Sequence, residues 1–180
     1  MTGRLIAVVG PSGVGKDTLM RALSDASPEF GLVRRVITRS AELGGEDFEA
    51  VSEDEFELRR KSGAFCVDWR AHGLRYGIPD DVRLRVGKGE QLLVNLSRDV
   101  LIDVGTVFSR FSVLNVTARP ETLAARLAGR GRETADEISR RLARAARPLP
   151  QGLSILTVSN DDRLEETVDA ALALLQPVRA

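Results

Sequence analysis

Gly10-Pro11-Ser12-Gly13-Val14-Gly15-Lys16-Asp17-Thr18 follows directly on the apolar run Leu5-Ile6-Ala7-Val8-Val9. Gly10, Gly13 and Gly15 let the backbone turn through positive φ and bring amides close to an anion with no Cβ in the way. Successive N–H groups then form a concave nest, to which a following helix adds its positive end. Lys16 is placed to reach the β- and γ-phosphates of a bound nucleoside triphosphate and to neutralise charge that shifts during transfer. Residue 17 faces the magnesium ion that bridges those phosphates. The phosphate-loop pattern G-x-x-x-x-G-K-[ST] expects a hydroxyl there, and this chain has a carboxylate. A carboxylate is a sound hard-oxygen ligand for Mg²⁺, so Asp17 is the candidate metal ligand. Thr18 lies about 100° further around the helix and does not replace it; its hydroxyl suits the α-phosphate.

The elements that must hold this loop are legible on either side of it. A β-branched strand precedes it and Thr18-Leu19-Met20-Arg21-Ala22-Leu23 continues as an amphipathic helix. Further apolar runs at 32–37, 92–96, 111–117 and 153–158 alternate with helical patterns at 16–25, 97–108, 120–129, 135–146 and 162–175. That is the spacing of a parallel sheet with helical crossovers, an α/β fold that binds ligands at the carboxyl ends of its strands. Two stretches depart from the alternation. Residues 39–79 contain Gly44-Gly45, a Ser52-x-x-Glu55 capping box and a turn at His72-Gly73, and read as an inserted subdomain for a second substrate. Residues 119–147 hold eight arginines against four acids. Arg130-Gly131-Arg132 there sits between two helical patterns, as cations in a closing lid would, where Arg can clamp a transferring phosphoryl group.

At 180 residues the chain suits one domain with a substantial core. Its 26 acidic and 26 basic residues balance, which gives no field directed at nucleic acid or an anionic membrane. No run reaches the ~18 apolar residues of a membrane span. Cys66, the single cysteine, stands in an apolar setting and reads as core; no disulfide framework is available. A cytoplasmic protein is expected, with self-association as a homodimer left open.

Together these residues resemble the guanylate kinases over nearly the whole length. The phosphate loop matches, as do Ile37-Thr38-Arg39 with Gly45-Glu46, the run Asp47 to Phe56, and Gly73-Leu74-Arg75-Tyr76-Gly77. Arg126-Leu127, Arg130, Arg141-Leu142 and Ser159-Asn160-Asp161-Asp162 follow the lid and C-terminal patterns. The resemblance implies a single three-layer phosphate-loop kinase domain over 1–180, with a central parallel sheet, an inserted substrate-binding subdomain at about 39–79 and an Arg-rich lid at about 130–141. It implies that Arg126 and Asn160 serve the ATP site, Asn160 by touching adenine, and that Arg130 and Arg141 join Lys16 and Asp17 in catalysis.

The departures narrow the substrate. The glutamate that reads guanine in that family corresponds to Val67, and the second guanine-reading acid falls at Ser97 in Asn95-Leu96-Ser97. Ser40-Ala41-Glu42-Leu43 lacks the family's second phosphate-holding arginine, and Phe48 stands where a phosphate-holding tyrosine would be. A guanine here would leave its donors unpaired, a loss of about 10⁴–10⁵ in discrimination. Lys16-Asp17-Thr18 and Trp69-Arg70-Ala71-His72-Gly73-Leu74-Arg75-Tyr76-Gly77 are instead similar to the ribose 1,5-bisphosphate phosphokinases of phosphonate breakdown. The implied reaction passes a phosphoryl group from ATP, with Mg²⁺, to a phosphate of ribose 1,5-bisphosphate, giving 5-phosphoribosyl diphosphate (PRPP). Arg39, Glu46, His72, Tyr76 and Ser97 are then the acceptor-binding candidates. Taken alone, His72 also reads as a turn residue and Trp69 as packing. Another small-metabolite or nucleotide kinase, or a non-catalytic interaction module, is the alternative.

Overall fold

A computed structural model describes residues 3–40, 47–129 and 148–176. Five parallel strands form the central sheet: β1 (Arg4–Val9), β2 (Phe30–Leu32), β7 (Gln91–Asn95), β8 (Phe111–Thr117) and β9 (Ile155–Ser159), in the order β2-β7-β1-β8-β9. A strand covered on both faces reads as an unbroken apolar run, and in β1 every residue after Arg4 is buried. One face carries Ile6, Val8, Leu114 and Val116 against helices α1 (Lys16–Ala26), α5 (Pro120–Gly129) and α6 (Leu164–Leu175). The other carries Leu5, Ala7, Val9, Leu92 and Val94 against α3 (Asp81–Gly87) and α4 (Leu101–Val107). The three layers expected from the alternation are present.

A second sheet, in the order β4-β3-β6-β5, is built from β3 (Arg35–Ile37), β4 (Phe48–Ala50), β5 (Phe65–Ala71) and β6 (Leu74–Pro79). Helix α2 (Glu53–Lys61) packs on one of its faces, with the Phe56 and Phe65 rings stacked at 4.7 Å and Arg75 bound to Glu57 at 2.5 Å. Ser52 caps α2 as its sequence box predicts, accepting from the Glu55 N–H at 3.1 Å. The opposite face, with Trp69, turns toward the central-sheet core.

Several boundaries differ from the sequence reading. The run 32–37 is two strands in two sheets, because the Val33 N–H pairs with Leu93 in the central sheet while Val36 and Ile37 pair with Gly77 and Tyr76 in the second. The second sheet therefore starts at Arg35, ahead of the stretch 39–79 read as an insert. The pattern at 97–108 opens as a 3₁₀ turn (Arg98–Val100) before α4. Helix α3 has too short an apolar stripe to stand out in the sequence. Cys66 is half-buried rather than fully in the core, its thiol against the carbonyls of Ile78 and Pro79. The lid segment about 130–141, the helical pattern at 135–146 and the stretch 41–46 lie outside the described residues.

Candidate active site

The phosphate loop connects β1 to α1 at the carboxyl end of the central sheet. Two glycines there are required by space. A Cβ on Gly10 would stand 2.4 Å from the Val116 carbonyl oxygen of the neighbouring strand. Gly15 has φ 92, and a Cβ on it would meet the Asn160 side-chain nitrogen at 2.8 Å. The Lys16 ammonium donates to the carbonyls of Gly10 and Pro11 at 3.0 and 3.2 Å, so the charge is held over the loop. Ser12 and Gly13 complete the turn, and Thr18 lies exposed on the first turn of α1.

Asn160 braces the loop from behind. It is only 6% exposed. Its side-chain amide donates to the Val14 carbonyl at 2.7 Å, while its own carbonyl accepts from the Thr167 hydroxyl at 3.0 Å. The Arg126 guanidinium, on α5, reaches the same Val14 carbonyl at 3.4 Å. The Asn160 amide, expected from the resemblance to touch adenine, is thus buried and engaged by protein at both ends. The turn that carries Asn160 is held by Asp161, which accepts from the Arg119 backbone N–H at 2.8 Å and from the Ser159 hydroxyl at 2.7 Å. Those bonds, the Arg119 N–H foremost, keep the Asp161 carboxyl well below the usual carboxylate range.

Asp17 sits at the start of α1, where it lines a cleft. The side-chain amide of Asn95, the last residue of β7, donates to its Oδ1 at 2.9 Å. The second carboxylate oxygen is then oriented as a hard donor. Among the described residues no group of three or more His, Cys, Asp or Glu could hold a metal ion. Mg²⁺ does not need one, since it binds through one or two carboxylates together with substrate phosphates. A single oriented carboxylate beside a phosphate nest fits that ion.

Arg21, Arg34 and Arg35 line the cleft with Asp17, Asp47 and Asn95. Arg34 pairs with Asp47 at 3.0 Å. Arg35 is buried, and its guanidinium lies 5.3 Å from the centre of the Tyr76 ring. Tyr76 in turn stacks on Trp69 at 5.2 Å and 10°. Trp69 is thus a packing residue, half-buried against the core. Arg39 stands just past β3, over the Phe48 ring at 5.6 Å. The Ser97 hydroxyl, two residues beyond Asn95, is shielded from solvent and has no hydrogen-bond partner among the described residues. Val67, in place of a guanine-reading acid, packs against the central-sheet core.

His72 is not brought to this cleft. With φ 52, followed by Gly73 at φ 75, it occupies the exposed tip of the β5–β6 hairpin. Positive φ at both central residues is the two-residue turn that suits strand twist. Its turn reading accounts for its position. Glu46, Arg130 and Arg141 lie outside the described residues. Arg21, Arg34, Arg35 and Asn95 line the cleft and are not among the residues the motifs single out. Asn95 was legible as the polar end of an apolar strand beside the loop strand; Arg35, inside a run taken as one strand, was not.

A family model described as an AAA domain matches residues 6–147. The chain is 54% identical to ribose 1,5-bisphosphate phosphokinase PhnN of Ruegeria sp. (strain TM1040), over 99% of this chain and 94% of that protein. The chain belongs to the ribose 1,5-bisphosphate phosphokinase family. A second ribose 1,5-bisphosphate phosphokinase, from Agrobacterium fabrum (strain C58 / ATCC 33970), is 45% identical over 96% of each chain. A guanylate kinase from Anaplasma phagocytophilum superposes with a TM-score of 0.69 at 19% identity, covering 97% of this chain and 85% of that one. The chain therefore shares the guanylate kinase fold, as the resemblance implied.

Proposed function

We propose that this protein transfers the γ-phosphoryl group of ATP to ribose 1,5-bisphosphate, forming ADP and PRPP. The observation that carries the reading is the cleft beside Asp17. It is lined by arginines, and the position expected to read guanine is an apolar side chain turned into the core. The 54% and 45% identical relatives bearing that activity in their names support it.

The nucleophile is an oxygen of the acceptor's 1-phosphate. A phosphate monoester has a second pKa near ~6, so this oxygen is already anionic at neutral pH and needs no strong general base. Catalysis is then positioning and charge neutralisation. The loop amides cradle the donor phosphates, and Lys16 swings from the carbonyls of Gly10 and Pro11 onto the β- and γ-phosphates. Asp17, aimed by Asn95, would hold Mg²⁺, which would supply charge neutralisation at the phosphates. Asn160 and Arg126 keep the Val14 peptide fixed, and so hold the nest in shape. Thr18 meets the α-phosphate. Arg39, Glu46, Tyr76 and Ser97 hold the acceptor, and Arg130 and Arg141 close over the transferring group.

The experiment is a coupled ADP-release assay with ribose 1,5-bisphosphate and GMP side by side. Dominant turnover of ribose 1,5-bisphosphate is expected; dominant turnover of GMP would replace this reading with a nucleotide kinase.

A further inference from the structure

Arg39 stands two residues beyond the end of β3, so the strand itself does not fix where its long side chain lies. Its guanidinium lies over the Phe48 ring, 5.6 Å from the ring centre. That is inside the ~6 Å over which the negative face of a ring attracts a cation. Phe48 is only 8% exposed, and the attraction is strongest where water is excluded.

Strand register places this ring at the cleft. Phe48 pairs with Arg35 between β4 and β3, and Ile37 pairs with Tyr76 between β3 and β6. Paired residues share a face, as do residues two apart along a strand. Phe48, Arg35 and Tyr76 therefore lie on one face together with Trp69, the face turned toward the central sheet. The alternate residue, Glu49, instead bonds Arg59 of α2, which covers the other side. Asp47, the residue before Phe48, and Arg35, its partner across the ladder, both line the cleft beside Asp17.

Phe48 has no polar side-chain atom and so cannot itself hold a phosphate, the role of the guanylate kinase tyrosine it replaces. What it offers is a ring face. Contact through that face consumes none of the five guanidinium N–H donors, yet it restrains a side chain that would otherwise swing into water. Resting on the acceptor-binding role proposed above for Arg39, we infer that Phe48 is a positioning residue for the reaction. Its ring holds the Arg39 guanidinium at the cleft, where the donors meet a phosphate of the acceptor. Phe48 touches no reacting atom and acts only through Arg39.

The test is steady-state kinetics with ATP and ribose 1,5-bisphosphate on Phe48→Leu, Phe48→Tyr, Arg39→Gln, and Phe48→Leu combined with Arg39→Gln. Phe48→Leu keeps an apolar side chain and removes the ring. It should raise the acceptor KM about 5–30-fold, while kcat and the ATP KM change less than about threefold. Phe48→Tyr, the conservative variant, keeps the face and should recover most of that loss. In the Arg39→Gln background, Phe48→Leu should add less than about twofold, since the ring then has no cation to hold. A ring-trifluorinated phenylalanine at the same position keeps the shape without the negative face. It should raise the acceptor KM about as Phe48→Leu does, and it carries the test if Phe48→Leu does not fold. An unchanged acceptor KM with leucine or the fluorinated ring, no recovery with tyrosine, or a full further loss in the Arg39→Gln background would overturn the positioning role and leave the reaction standing. An unchanged acceptor KM in Arg39→Gln would overturn the acceptor role of Arg39, and this inference with it. Failure of wild type to turn over ribose 1,5-bisphosphate would overturn the reaction itself.

Discussion

The side-chain amide of Asn95 donates to Oδ1 of Asp17 at 2.9 Å, joining the end of a central strand to the first turn of the helix after the phosphate loop. In phosphate-loop enzymes the metal is held by a hydroxyl on the loop and an aspartate elsewhere. Here the carboxylate is on the loop, and its partner on the strand is a neutral amide. On the proposed reading, one negative charge serves the metal, in the other position.

Moving that charge should be tolerated better than doubling or deleting it. Asp17→Ala should raise the Mg²⁺ concentration needed for half-maximal ATP binding about tenfold or more, and Asn95→Asp should disturb it by setting two carboxylates against each other. The pair Asp17→Ser with Asn95→Asp should recover much of the loss. Magnesium titrations of nucleotide binding check this; an unchanged titration in Asp17→Ala would remove Asp17 as a ligand.

Lys16→Ala should lower kcat by about 10²–10³ or more, as losing a charge-stabilising donor does, with the fold intact. Steady-state kinetics beside circular dichroism decide the point. Near-wild-type turnover would contradict the role given to Lys16.

Asn160 acts on the loop through one bond to Val14. Asn160→Ala leaves that carbonyl with Arg126 and takes one acceptor from the Thr167 hydroxyl, which keeps the Ser159 and Arg163 carbonyls, a cost of about 0.5–1.5 kcal/mol. ATP affinity should fall about tenfold and the melting temperature should drop. Gly15→Ala, which drives a Cβ against the same amide, should do the same. An adenine-reading role predicts otherwise: a selective loss of ATP relative to GTP, with no change in melting.

Glu57 gives the fold an acid-sensitive element. The Arg60 guanidinium, with Arg75 beside it, holds its carboxyl down at about 2 against an ordinary 4.5. A depressed carboxylate favours the folded state above its unfolded pKa and loses that contribution as protons bind. Stability should therefore fall between about pH 4.5 and 2, and Glu57→Gln should flatten that slope. The group keeps partial contact with solvent, so the effect is small and shrinks with added salt. Denaturant midpoints across that range measure it.

Much of this was legible in the residues because it follows from local physics. The run Leu5–Val9 followed by three closely spaced glycines dictates strand, nest and helix; Ser52 and Glu55 dictate a helix start; His72-Gly73 dictates a tight hairpin. What was hidden depends on contacts distant in sequence. Val33 and Val36 look alike in the chain, and only pairing with Leu93 or Gly77 assigns them to different sheets. Asn160 and Val14 are 146 residues apart, so a brace between them has no local signature. Arg35 reads as a surface charge until strand register turns it inward.

Phosphorus NMR of the protein with ATP, Mg²⁺ and ribose 1,5-bisphosphate reads the identity of the acceptor at the bond that forms. The monoester signal of the 1-phosphate should be replaced by a coupled pair of diphosphate resonances as ADP accumulates, with the 5-phosphate signal unchanged. ADP formation that leaves the 1-phosphate signal intact, or that proceeds faster with GMP to give GDP, would contradict it.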